Sequence, residues 1–256
     1  MAPLGHLPNY LGALMRHADE FRDAEIAVTF NGASESWYRE RPPADLLKYP
    51  YAKQVIQREA IDLCRKAEAD GYDAVVLGSF SEPFLVEIRS LLEIPVVSMP
   101  ESALLIACSL AQQIALVPLA PAGAGRVRSL VHRHGLSARV CGIQPLSNPV
   151  TENQLEIAFD DPYSIMTDFD AVAHTLVQAG ADVVIPAEGV LNELLFWNGL
   201  RRIGDAVVMD CVGASLAYSS MLVHLKRTSG ISVGRQWSYI RPPAEILNML
   251  DSFSPT

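Results

Sequence analysis

Two residues stand where a parallel-sheet protein usually does its chemistry. In "ADVVIPAEG", Ala181 to Gly189, an apolar run that reads as a buried strand ends on Glu188, with Gly189 directly behind it. A lone carboxylate is costly to bury, so such a residue is solvated, paired or put to use. Desolvation in an apolar cleft would raise its pKa while a following helix N-terminus lowers it, leaving a usable general base; a plain helix-capping role is the competing explanation. "ADGYDAVVLGSF" repeats the pattern of helix end, glycine, aspartate and apolar run. Asp73 precedes Ser79 by six positions (79 − 73) and Asp182 precedes Glu188 by six (188 − 182), which puts Ser79 and Glu188 at equivalent strand ends. Ligands of open parallel sheets bind beyond those ends, so the two residues would face each other across one cleft if the two copies are halves of a pseudo-symmetric molecule. The alternative is the ordinary repetition of any α/β architecture.

Around Ser79 the sequence reads "GSFSEP". Ser79, Phe80 and Ser81 offer hydroxyls and backbone amides to a substrate oxygen, and Ser81 is placed to cap a helix whose first turn holds Glu82 and Pro83. Gly189 lets a ligand approach the backbone and adds an N–H. Three further strand ends carry candidates: Asn31 in "FNGAS", Glu101 in "SMPESA" and Asp210 beside Cys211 in "MDCVGAS". Glu101 and Asp210 are equally explained as first-turn and capping residues, and Cys211 as a buried inert thiol.

The elements that must position these residues alternate along the chain. Continuous apolar runs ("EIAVTFNG", "YDAVVLGSF", "IPVVSMP", "QIALVPLA", "RVCGIQPL", "ADVVIPAEG", "DAVVMDCV") read as strands covered on both faces. Amphipathic stretches such as "PYAKQVIQREAIDLCRKAEADG" and "DPYSIMTDFDAVAHTLVQAG" lie between them, which implies a parallel α/β sheet with helical crossovers. The first half offers only three runs, beginning after a helix-like "NYLGALMRHADEFRD". Either "APLGHLP" replaces a first strand irregularly or the chain starts later than related chains do.

Composition narrows the function. Of 256 residues 50% are hydrophobic and 19% charged, and the apolar segments are short and interrupted, so a globular chain that does not span a membrane is expected. A net charge of −9 with scattered Lys and Arg argues against nucleic-acid and anionic-lipid partners. The amino terminus lacks the pattern of a secretory signal and the four cysteines lack paired spacing, from which a cytoplasmic location is expected. "GAGRVR" has Arg128 where a dinucleotide loop needs its third glycine, none of the six histidines has a partner at metal-ligand spacing, and no histidine falls at a strand end to complete a serine triad. No cofactor and no metal are expected.

The run from "GYDAVVLGSFSEPFLVEIRSLLEIPVVSMPESALLIA" through "IALV", "GADVVIPAEGV" and "AVVMDCVGASL" resembles the aspartate/glutamate/hydantoin racemase superfamily, which includes maleate isomerase and arylmalonate decarboxylase. The resemblance covers roughly residues 25 to 225. It implies two Rossmann-like halves related by a pseudo-twofold axis, 1–98 with 213–256 and 99–212, and a cofactor-free active site in the cleft between them. Racemases of this type use two opposed cysteines; the matching positions here are Ser79 and Glu188. A serine hydroxyl without a base is a poor proton exchanger, so the two-thiol reaction is altered and Glu188 is left as a single base. The resemblance thus implies an isomerase or racemase acting on a small carbonyl or carboxylate compound. The alternatives are a hydrolase in which Glu188 activates water against a cyclic amide, a decarboxylase, or a binding protein with a degenerate site. A homo-oligomer is the expected assembly.

Overall fold

The computed structural model describes residues 3–21, 26–39, 41 and 43–252. After a short 3₁₀ turn at Leu4–His6, the chain forms helices α1 (Pro8–Glu20), α2 (Pro43–Leu47), α3 (Pro50–Gln57) and α4 (Glu59–Ala69). Strand β1 (Val75–Leu77), helix α5 (Leu85–Leu91) and strand β2 (Val96–Ser98) follow, and β1 pairs with β2 in parallel. Helix α6 (Met99–Leu110) then leads into β3 (Ile114–Val117), α7 (Pro121–Arg133), β4 (Val140–Ile143), α8 (Glu152–Ile157), α9 (Tyr163–Gln178), β5 (Val183–Pro186) and α10 (Gly189–Trp197). The chain closes with β6 (Arg202–Ile203), β7 (Ala206–Val208), α11 (Cys211–Ser229) and α12 (Ala244–Asp251).

The molecule is therefore α/β with parallel sheets, and the larger one has the strand order β4-β3-β5-β7-β6. Among the described residues only β6 runs antiparallel, a two-residue strand that the apolar patterning did not signal. The continuous runs "IALV" and "VVIP" become the central strands β3 and β5, and every side chain of β3 is fully buried. Covering both faces of a strand is what removes the polar alternation from its sequence. Helix α11 packs on α6 and back against β1 and β2, so it bridges the large sheet and the small one. No helix among the described residues is long and apolar enough to cross a membrane.

Three local expectations change. Of the run "EIAVTFNG", Glu25 lies outside the described residues, and 26–32 forms no regular secondary structure and no strand pairing among the described residues. Its residues alternate between half-buried (Ile26, Val28, Phe30) and exposed (Ala27, Thr29, Asn31), the mark of a segment covered on one face only; Val28 and Phe30 pack on the main core. "APLGHLP", whose Ala2 lies outside the described residues, supplies a 3₁₀ turn and the start of α1 and no strand among the described residues. Ser81 caps no helix: α5 begins at Leu85, and its N-cap Phe84 makes no capping side-chain bond.

Candidate active site

The two strand ends meet. A Cβ built on Gly189 would lie 3.8 Å from the Gly78 carbonyl oxygen, so the end of β1 before Ser79 and the end of β5 after Glu188 are neighbours. Phe80, in the loop after β1, is half-buried against the same core that holds Ile185, Val190 and Leu191.

Glu188 is the N-cap of α10, with extended backbone (φ −164°), and its carboxylate accepts the Leu191 N–H at 2.8 Å. Burial, reinforced by the neighbouring Glu152 carboxylate, pushes its pKa up to about 8 against the amides of Leu191, Val190 and Gly189, which pull it down. The Gly189 N–H therefore acts on Glu188 before it meets any substrate. Glu152 also acts on Tyr10 and on Lys53, whose ammonium is held below its usual range by burial and by the nearby Arg126 guanidinium. Glu188, Tyr10, Glu152, Lys53 and Arg126 thus share one electrostatic neighbourhood.

On the facing side, Ser79 and Ser81 hydroxyl oxygens are 2.9 Å apart, Ser79 Oγ accepts the Ser81 N–H at 3.3 Å, and Gln57 donates to Ser81 Oγ at 2.8 Å. The loop they belong to is strained, with Glu82 at φ 44° and Phe84 at φ 55°, both left-handed without being glycine. Glu82 holds it in place. Its buried carboxylate accepts from Ser98 Oγ at 2.6 Å and is bound by His134 Nε2 at 2.7 Å. Burial would raise the Glu82 pKa, but the hydrogen bonds of His134 and Ser98 and the charges of His134 and Arg133 outweigh it and lower the pKa.

The remaining candidates make no hydrogen bond to Ser79 or Glu188 among the described residues. Glu101 lies in the first turn of α6 and pairs with Arg89 through both oxygens, beside His134 and Tyr239. Asn31 is exposed on the irregular segment 26–32 and hydrogen-bonds to none of the other candidates among the described residues. Asp210 caps α11 through the Gly213 N–H at 3.0 Å and accepts from His17 Nε2 at 3.0 Å. Its pKa is lowered: burial opposes ionisation, but the His17 hydrogen bond and charge prevail. Cys211 is fully buried and its thiol pKa is pushed well up by that burial, so no reactive thiolate stands there.

Sequence spacing did not disclose His17. Its ring spans Glu193 Oε1 at 2.8 Å and Asp210 Oδ2 at 3.0 Å and stacks on Phe196. Burial opposes the charge, yet the two carboxylates raise its pKa to about 9, which keeps it an imidazolium at neutral pH. The three groups lie within 4.8 Å of one another, as metal ligands would. Both ring nitrogens are committed to the carboxylates and Trp197 Nε1 donates to Glu193 Oε2 at 3.0 Å, so the trio forms a closed ion network.

A family model described as Asp/Glu/hydantoin racemase matches residues 34–187. The chain is 29% identical over 188 residues to a hydantoin racemase of Pseudomonas sp. (strain NS671), covering 73% of each chain. Its fold is similar to allantoin racemase from Pseudomonas fluorescens (TM-score 0.70, 17% identity, 93% of each chain). It is also similar to allantoin racemase from Klebsiella pneumoniae (TM-score 0.68, 17% identity, 91% of this chain and 88% of that one). With more than half its length matched by that family model, the chain belongs to the Asp/Glu/hydantoin racemase family and is an enzyme of the isomerase and racemase class.

Proposed function

We propose that this protein is a cofactor-independent enzyme that exchanges the proton on a carbon next to a carbonyl, in a small nitrogen ring of the hydantoin type. The observation that carries the reading is Glu188: a carboxyl group with its pKa at about 8, at a strand end that meets the Ser79 strand end. A base of that pKa is matched to proton transfer near neutral pH. Glu188 takes the carbon-bound proton, the C–H electron pair forms the enolate, and the proton returns to carbon. For inversion, a water molecule protonates the opposite face of the planar enolate and the hydroxide left behind takes the proton held by Glu188, with the Ser79 and Ser81 hydroxyls orienting that water. Lys53 and Arg126 supply positive charge for the substrate's oxygens. The similarity to a hydantoin racemase supports this ring class.

The test follows loss of the ring C–H signal by NMR when single enantiomers of 5-substituted hydantoins are incubated in D₂O. The wild type should exchange and racemise the centre, and Glu188→Gln should lower the rate by about 10²- to 10⁴-fold, the usual worth of a positioned base. Unchanged exchange in Glu188→Gln would sink the mechanism. Ring opening or loss of carbon dioxide in place of exchange would replace the reaction.

A further inference from the structure

The hydroxyl of Tyr10 lies at the point where the two strand ends meet. A Cβ built on Gly189 would come within 2.5 Å of Tyr10 Oη and 3.5 Å of Tyr10 Cζ, while its other near neighbour is the Gly78 carbonyl oxygen. The Tyr10 ring is buried in the main core, at 7% exposure. Among the described residues its hydroxyl has no hydrogen-bond partner, yet it does not join Arg235 Nε as an enclosed polar atom without one. Oη is thus not completely sealed from solvent. A buried phenol normally finds a partner, so an unpaired hydroxyl at such a spot is unusual for a side chain that serves packing alone.

The ring is also held firmly. Helix α1 carries Tyr10, and the Glu156 carboxylate accepts the N–H groups of Asn9 (2.6 Å) and Tyr10 (3.0 Å) at its N-terminus. At the other end of the helix, His17 is locked between Glu193 and Asp210. Burial, then the charges of Glu188, Glu193 and Glu152, raise the phenol pKa well above 10, so the group is a hydrogen-bond donor at any working pH.

We propose that Tyr10 is a catalytic residue: its Oη, beside Gly189 where the ends of β1 and β5 meet, donates a hydrogen bond to the carbonyl oxygen of the substrate. The inference rests on the acid–base function proposed for Glu188. As Glu188 takes the carbon-bound proton, negative charge moves onto that oxygen, and a fixed phenol aimed at it stabilises the enolate more than the ground-state carbonyl. The phenol keeps its own proton throughout. Accessory α1, which stands outside both sheets, thereby becomes part of the site.

The test compares wild type, Tyr10→Phe, Gly189→Ala and Glu188→Gln in the hydantoin exchange assay, with thermal melts on each. Phenylalanine keeps the ring and removes a hydroxyl with no partner among the described residues, so the Tm of Tyr10→Phe should match the wild type. Its kcat should fall about 10²- to 10³-fold, as for loss of one oxyanion donor, with KM changed only a few-fold. Gly189→Ala, whose methyl must displace Oη, should show the same kcat loss and covers the case in which Tyr10→Phe fails to fold. Tyr10→Phe with wild-type kcat beside an inactive Glu188→Gln would overturn the role of Tyr10 and leave the proposed function standing. Exchange by the wild type no faster than buffer, or no slower in Glu188→Gln, would overturn both.

Discussion

In the proposed mechanism the one carboxyl group of Glu188 has two tasks, cap and base, and pH separates them. As a cap it needs only an acceptor oxygen for Leu191 N–H, which the protonated acid also provides. As a base it must be ionised, so exchange should rise with pH through about 8 and level off above it. The same shift has a stability cost. The folded pKa is raised above the ordinary 4.5, so the stability it contributes is full below pH 4.5 and lost as pH rises through about 8. Glu188→Gln keeps the capping oxygen and removes the titration. The Tm difference, wild type minus variant, should therefore shrink or reverse between pH 5 and pH 9 in a series of thermal melts. A difference that stays constant over that range would mean that the carboxyl does not titrate there.

At the scale of elements, α1 is the unexpected member. Its tie to the sheet ends is an imidazolium between two carboxylates, all three within reach of one another. Removing one partner of a buried ion network leaves the others uncompensated, so His17→Ala should destabilise the protein by about 3–5 kcal/mol in urea titrations. The His17 pKa is raised from 6.5 to about 9, so this contribution is full below pH 6.5 and fades as pH rises through about 9. The variant's deficit should be smaller at pH 10 than at pH 6. The sequence made α1 legible as a helix, yet not its role, because Glu156, Glu193 and Asp210 lie far along the chain and Tyr10 reads as one more apolar-face residue. The strands that lead to Ser79 and Glu188 were legible because both are continuous apolar runs opened by an aspartate. The strained turn that positions Ser79 was not: "GSFSEP" reads as a helix start, and only the buried contacts of Glu82 with Ser98 and His134 account for its left-handed backbone.

Across the whole molecule the buried core is unequally shared between the two sheets, and the candidate site lies where their strand ends meet. The large core gathers β3, β5, α9 and α10, with β3 fully buried. The smaller core around β1, β2, α4 and α5 holds eight buried residues. Two short strands are marginal alone, so the small sheet depends on α11 and on the chain beyond it. There Arg235 donates to the carbonyls of Arg89, Ser90 and Leu92 at the end of α5, and Asp251 pairs with Arg65 of α4 at 2.7 Å. Amides that open locally exchange before those that require global unfolding. Hydrogen exchange in β1, β2 and the loop from Ser79 to Phe84 should therefore be markedly faster than in β3 and β5, and Arg235→Ala should speed it further without touching β3. A ring that bridges Gly189 and the Ser79 loop should slow exchange in the loop and β1 together, because binding there holds the weaker sheet against the stronger one. Equal protection of β1 and β3 in the unliganded protein would show that the two sheets unfold as one unit.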